Sequence, residues 1–251
     1  MNGGDFMRFE LGFLGIGSAF NTELGNTAAF FKDEFNNIYF IDCGYDVFPK
    51  IMKHNLLDGV NDITVFITHL HDDHMGSLGA LTFYCFYVLK KKLTIKFPNF
   101  DIARLLKIQG ALRCANFDIV KEGTISEKKV KILEYEFTTT NHDKSIPCYS
   151  LKIKNHTMEV PQYIYYSGDT KVLFNGSTKF DDIFTLPYVE VYQDCSHEKS
   201  YEGAVHMDLE TLSSLIPKKH RLSVTCMHIG PDCPIDKIID KGFLVAHLYE
   251  T

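Results

Sequence analysis

The chain has 251 residues, 45% of them hydrophobic and 23% charged, with a formal net charge of −6. That is the composition of a globular protein with a sizeable core, read here as one domain over residues 1–251. It lacks the basic stripe of a protein that grips a long nucleic acid, and any run long and apolar enough to cross a bilayer.

The opening "MNGGDFMRFE" has neither the basic start nor the apolar stretch of a secretory signal. Seven cysteines (43, 85, 114, 148, 195, 226 and 233) form no Cys-x-x-Cys pair. They read as reduced thiols in a cytoplasm rather than as a disulfide scaffold or a cysteine zinc site.

In chain order, "RFELGFLGI", "NTAAFFKD" and "NIYFIDCG" are predicted strands. A helix follows, with Val47, Phe48, Ile51, Met52 and Leu56 on one apolar stripe. "ITVFIT" is a strand, and a helix spans about Ser77 to Lys90. Its stripe is Leu78, Leu81, Cys85 and Val88, while Phe83, Tyr84, Phe86 and Tyr87 cover its other faces. A helix apolar on most sides is buried on most sides, so a second chain is expected against it. "LTIKF" is a strand and "FDIARLLKI" a helix. "KVKILEYEF", "CYSLKIK", "QYIYYSG" and "YVEVYQ" are strands. "MDLETLSSLI" is a helix with Leu209, Leu212, Leu215 and Ile216 on one face. "LSVTCMHIG" is a strand, "IDKIID" a short helix and "GFLVAHLYE" the last strand. The alternation predicts an α/β layered domain with mixed sheets.

The densest chemistry is "ITHLHDDHMG". His69, His71, Asp73 and His74 crowd the loop after a strand, where neutral imidazoles and carboxylates are costly unless something satisfies them. On a tight loop, alternate residues converge on one point while the next pair turns to another. That suits two metal ions about 3.5–4 Å apart. Nitrogen and oxygen ligands without thiolate fit zinc, with manganese or iron as alternatives. Three later strand ends offer further ligands: His142 in "FTTTNHDK", Asp169 in "YYSGDT", where a carboxylate could bridge both ions, and His228 in "VTCMHIG".

This series, His-x-His-x-Asp-His, then His, then Ser-Gly-Asp-Thr, then His before an Ile-Gly, resembles the metallo-β-lactamase superfamily over almost the whole chain. "FLGIGSAFN", "NTAAFF" and "FIDCG" resemble the opening strands of its RNase Z branch. The resemblance implies an αβ/βα sandwich with two metals at one edge of the sheets. It assigns His69, His71 and His142 to the first metal and Asp73, His74 and His228 to the second, with Asp169 bridging. Asp42 matches the early strand-end aspartate that buttresses the metal loop.

In RNase Z-like phosphodiesterases a His-Glu-Ala-Thr segment after the bridging aspartate precedes a Gly-His-Ser-Thr segment. Here "YQDCS" and "AVHMD" stand in those places. Asp194 resembles the acid and His206 the histidine it orients to protonate a leaving alkoxide; with Asp73 these are the candidate catalytic residues. Gln193 departs from the pattern by replacing its histidine, and Asp194 is one carbon short. An alternative role for His206 is simply to precede a helix capped by Asp208. His197 is a nearby competitor, whereas His54, His156, His220 and His247 read as surface or packing residues.

Only "DKSIPCYSLKIKNHTMEVPQYIYYSG" separates His142 from Asp169, too little for a tRNA-gripping arm. Armlessness, length and the Asp194/His206 pair make the chain similar to the anti-Pycsar phosphodiesterases of phages and bacteria. That implies hydrolysis of cyclic mononucleotides, no stable nucleic-acid partner, and a homodimer in the bacterial cytoplasm, the host's if phage-encoded. The alternatives are a tRNA 3′-processing endoribonuclease and a lactone or thioester hydrolase.

Overall fold

The computed structural model describes residues 8–119, 133–157, 160–173, 183–186 and 188–250. Their strands form two sheets of six. The first holds β1 (Gly12–Gly15), β2 (Ala28–Lys32), β3 (Ile38–Ile41), β4 (Ile63–Phe66), β5 (Leu93–Phe97) and β6 (Ala115–Ile119). The second holds β7 (Leu133–Thr139), β8 (Tyr149–Asn155), β9 (Gln162–Tyr166), β10 (Val189–Asp194), β11 (Val224–Met227) and β12 (Leu244–Val245). In both, spatial order follows chain order. Each begins with two antiparallel pairings and continues with parallel ones.

The strand sequences match their places. β3 (IYFI) and β4 (ITVF) lie in the middle of the first sheet and are buried along their whole length. Continuous apolar runs suit strands covered on both faces. β7 and β8 instead alternate. Leu133, Tyr135 and Phe137 point into the core, while Glu134 and Glu136 stand opposite Lys154 and Lys152 on the outer face. Those cross-strand charges lie 3.6 and 3.9 Å apart.

The sheets pack through aromatic side chains. Phe66 meets Tyr135 at 5.1 Å between ring centres, Phe97 meets Tyr149 at 5.6 Å, and Phe13 meets Tyr192 at 5.5 Å. Each buried ring of this kind contributes about 1.5–3 kcal/mol of transfer free energy. Helices cover the outside: α1 (Val47–Lys53), α2 (Asp72–Met75), α3 (Leu78–Tyr87), α4 (Asp101–Ile108), α5 (Leu209–Leu215) and α6 (Ile235–Asp240). α1 buries Val47 and Ile51, α4 buries Ile102 and Leu106, and α5 buries Leu209 and Leu212. The architecture is the α/β sandwich, two mixed sheets flanked by helices.

Several elements differ from the sequence reading. β6 was not foreseen: "ANFDI" is short, has polar residues at alternate positions and, among the described residues, pairs with β5 alone. α3 stops at Tyr87, and the chain turns through Lys90 at φ +57°. Val88 is therefore 58% exposed and outside the buried stripe of Leu78, Leu81 and Cys85; Leu89 packs on the core instead. Leu215 is 46% exposed. At about 100° per residue it sits roughly 120° round the helix from Leu209. The last strand is only Leu244–Val245. The start of the strand read at "KVKILEYEF" lies outside the described residues. All seven cysteines are unpaired and buried. No helix among the described residues is long and apolar enough to cross a membrane.

β3, β4, β7, β9, β10 and β11 all run the same way within their sheets, and each ends at one edge of the sandwich. Backbone bonds lock the two sheets together there. Tyr149 N–H donates to Thr68 O at 3.0 Å, and Ile229 N–H donates to Ile16 O at 2.8 Å.

Candidate metal centre

β4 delivers Thr68 and His69 to that edge, and the one-turn helix α2 folds the next residues back. His69 Nε2 lies 3.0 Å from His71 Nδ1, and His142 Nε2, just past β7, lies 3.3 Å from the same atom. Nitrogens held about 2.0–2.1 Å from one tetrahedral ion stand about 3.3 Å apart. A second group forms beside them. Asp73 Oδ2 is 3.2 Å from His74 Nε2 and 3.3 Å from His228 Nε2. Asp169 spans both groups: Oδ1 is 3.3 Å from His74 Nε2, and Oδ2 is 3.3 Å from His228, 3.6 Å from His142 and 3.7 Å from His69. Each group has ligand atoms close enough to hold one ion.

The surroundings aim the rings. His74 Nδ1 donates to Asp42 Oδ2 at 2.9 Å, and Thr68 Oγ1, 3.1 Å from His69 Nδ1, donates to the same carboxylate. His71 Nε2 lies 3.1 Å from Asp143 Oδ2. His228 Nδ1 lies 2.9 Å from Ser196 Oγ, whose hydroxyl reaches Asp194 Oδ1 at 2.7 Å. Thus His69, His71, His74 and His228 each use one nitrogen outward, which leaves the other facing the cluster. This is how a protein fixes the tautomer of a ligating histidine.

His74 Nε2 and Asp169 Oδ1 are buried and have no hydrogen-bond partner. Orphaned buried atoms of this kind are costly, and they fit a cation between them. The charge balance agrees. Burial opposes ionisation of Asp169 and Asp73, yet both stay well below the usual carboxylate range because His228 and His74 stand against them. Burial also opposes a charged His74, but Asp169, Asp73 and Asp42 push it well above its ordinary value; His228 rises to about 10 beside Asp169 and Asp194. Burial, which favours the neutral ring, holds His69 well below the usual histidine value. The carboxylates thus demand positive charge in a dry site. The clusters suit divalent metal ions.

Backbone strain accompanies this geometry. Asp42 and His228 both adopt left-handed φ, +66° and +56°, which ordinary residues rarely do. Gly168 (φ +57°) precedes Asp169, and a Cβ there would come within 2.5 Å of Tyr149 O. Only glycine lets the chain pass and deliver the carboxylate.

Next to the clusters, Asp194 is fully buried at the end of β10. His206 Nδ1 donates to its Oδ2 at 2.7 Å, and the His206 ring centre is 4.6 Å from that of His142 and 5.0 Å from that of His228. Burial lowers the His206 pKa, but Asp194 outweighs burial and the net shift is upward. Asp208 also caps α5, accepting Thr211 N–H at 2.8 Å, so the helix-start role and the approach to Asp194 coexist.

The structure therefore brings together His69, His71, Asp73, His74, His142, Asp169, His228, Asp42, Asp194 and His206. His197 joins neither ligand group: its Nδ1 is 3.3 Å from Asp232 and its ring centre 6.2 Å from that of His206, and it lines the cavity that opens over the cluster. His156 pairs with Glu134, His220 stacks on Phe184, and His54 packs on Tyr249, all outside the cluster. Sequence reading missed Thr68, Asp143 and Ser196. Their signal was adjacency, since each lies within two residues of a named position. A cavity of about 630 Å³ opens over the cluster, lined by His71, His142, His206 and His228 and by the rings of Phe20, Tyr45 and Tyr201.

Two mixed sheets with helices outside and a double His/Asp cluster at their shared edge define a protein of the metallo-β-lactamase fold. The metallo-β-lactamase-fold protein YhfI of Bacillus subtilis has a similar structure, with a TM-score of 0.72 at 16% identity over 93% of this chain and 91% of that one. A diphosphatase of the PhnP family gives 0.70 at 15% identity, over 97% and 96%. Within that fold, the family model for Anti-Pycsar protein Apyc1 matches residues 9–245, and the chain belongs to that family. The Anti-Pycsar protein Apyc1 of Bacillus phage 010DV004 is 30% identical over 237 residues, covering 88% of this chain and 89% of that protein. Family membership together with the double cluster supports a metal-dependent hydrolase.

Proposed function

We propose that the chain is a phosphodiesterase that opens cyclic mononucleotides to linear nucleoside monophosphates, and so blunts a nucleotide-signalled defence. The observation that carries this is the His206–Asp194 pair against the double cluster. Cleaving a phosphodiester expels an alkoxide that needs a proton, and this pair is placed to supply it; a thioester expels a thiolate with no such need, and the lactone reading, whose leaving group is also an alkoxide, is disfavoured instead by membership of the Anti-Pycsar family.

His69, His71 and His142 would hold one divalent ion, and Asp73, His74 and His228 a second, with Asp169 between them; nitrogen and oxygen donors favour zinc, with manganese as the alternative. Such ions supply Lewis acidity and bring the pKa of water toward neutrality. Asp42 keeps His74 and, through Thr68, His69 in the tautomers that face the cluster. Ser196 does the same for His228. His206 keeps Nδ1 on Asp194, so its Nε2 proton is the one free to pass to the departing ribose oxygen. Asp194 raises the His206 pKa above the ordinary histidine value, which favours the ring that carries this proton.

The small-substrate reading draws support from β8 and β9. They pair up to Asn155 opposite Gln162, so only six residues of sequence separate the two strands, too few for an arm there. The acidic net charge also disfavours a grip on tRNA phosphates. We propose a homodimer with α3 at or near its interface, supported by the exposed Tyr87 and Val88 at the end of that helix. Sedimentation of wild type and Phe86→Glu at micromolar protein tests it, and a monomeric wild type refutes it.

The functional test is chromatography of the products formed by metal-replete protein. Cyclic CMP, UMP, AMP and GMP should yield linear monophosphates while a tRNA precursor survives. Intact cyclic nucleotides beside a trimmed precursor would transfer the assignment to tRNA processing.

A further inference from the structure

Phe20 is 89% exposed, yet it sits on an anchored loop. Ser18 N–H and Asn21 Nδ2 both donate to Ile229 O at 3.0 Å, one residue past His228. Within the loop, Asn21 N–H donates to Ser18 O and Gly25 N–H to Asn21 O, each at 3.0 Å. The loop also closes tightly over Gly17, where a Cβ would meet Asn21 O at 2.8 Å. Other large apolar side chains are as open, Ile108 among them, but Ile108 lines no part of the cavity over the cluster. Phe20 lines that cavity.

An aromatic ring held out to solvent gains nothing for the fold. Fixed to the same backbone as a metal-facing histidine, it has a set position relative to the reacting phosphate. From this placement we infer that Phe20 is the stacking platform for the nucleobase. The inference rests on the cyclic-mononucleotide reading above. The chemistry of the ring sets its consequence. Every base has a π-face, so stacking on a phenyl ring tolerates both pyrimidines and purines. Phe20 would therefore govern how tightly the nucleotide is held rather than which base is chosen.

Phe20→Ala removes an exposed side chain and leaves the anchoring bonds in place. The KM for cyclic mononucleotides should rise about tenfold or more, within the range expected for loss of one base–aromatic stack. kcat should change much less. On cyclic ribose 3′,5′-phosphate without a base, the same substitution should cost several-fold less. Phe20→Trp should keep KM near the wild-type value. Because the chain contains no other tryptophan, that variant also gives a direct binding signal. Its fluorescence should be quenched by a nucleoside 5′-monophosphate and not by inorganic phosphate. If wild type cleaves cyclic nucleotides but Phe20→Ala leaves KM unchanged, or loses equally on the abasic substrate, the platform is elsewhere and only this inference falls. If wild type cleaves no cyclic mononucleotide, the functional reading falls and takes the inference with it.

Discussion

The two halves of the molecule share a strand plan and differ in how they furnish the site. Residues 8–119 build β1–β6 and residues 133–250 build β7–β12, each as two antiparallel pairings followed by parallel strands. The first half places four metal-facing residues on one loop, His69 to His74. The second gives one residue per strand end: His142 after β7, Asp169 after β9, Asp194 at the end of β10 and His228 after β11. Local sequence can pre-arrange the first set, because it lies within six consecutive residues, the last three of them in the one-turn helix α2. The second set has no meaning until the strands lie side by side. The difference predicts that replacing a metal-facing residue of the first half disturbs one group at a time, whereas the second half holds Asp169, which joins the groups.

The largest effect is expected at Asp169. Its two oxygens reach both groups, so Asp169→Ala should empty both, and activity should fall by more than the loss of any other single side chain. Elemental analysis after His69→Ala gives the contrast, with one equivalent of metal kept. Equal metal loss from both variants would show that the loop, not the strand end, joins the groups.

His206→Ala should come next, with about 10²–10⁴-fold lower turnover on cyclic nucleotides and metal content intact. The loss should shrink on a nitrophenyl ester, whose leaving group needs no proton. Losses of the same size on both substrates would make His206 structural.

Asp42→Asn tests the loop's own support. Asp42 holds His74 directly and His69 through Thr68, and such outer partners typically contribute about 10–100-fold in metal affinity or activity. A chelator competition should show weaker metal binding; an unchanged competition curve would leave Asp42 a fold residue only.

The smallest effect is a displacement along the pH axis. Burial works against a charged His206, and Asp194 overcomes it, so its folded pKa lies above the ordinary value. The imidazolium, with the charge it sets against Asp194, is fully formed below the ordinary histidine value and is lost as pH rises through the folded one, while Nδ1–H stays on Asp194. Asp194→Asn removes the charge that raises it, so the descending limb of kcat/KM should move to lower pH. A limb that stays in place would mean that another group supplies the proton.

Much of this was legible from the chain. β3 and β4 are runs of β-branched and aromatic residues, β7 and β8 alternate, and the metal loop carries its spacing in six consecutive residues. These signals are local, and burial periodicity or loop geometry fixes them without knowledge of distant partners. His142, Asp169, His228, Asp194 and His206 were found by order along the chain, matched to a family pattern. The tertiary structure alone put them within hydrogen-bond reach, because parallel strands of both sheets end at one edge. It alone set the left-handed backbone at Asp42 and His228, the Ser196 link from His228 to Asp194, and Phe20 at the cavity rim. Those depend on contacts between residues as far apart as Asp73 and His228. Such contacts exist only once the core has closed and brought the strand ends together.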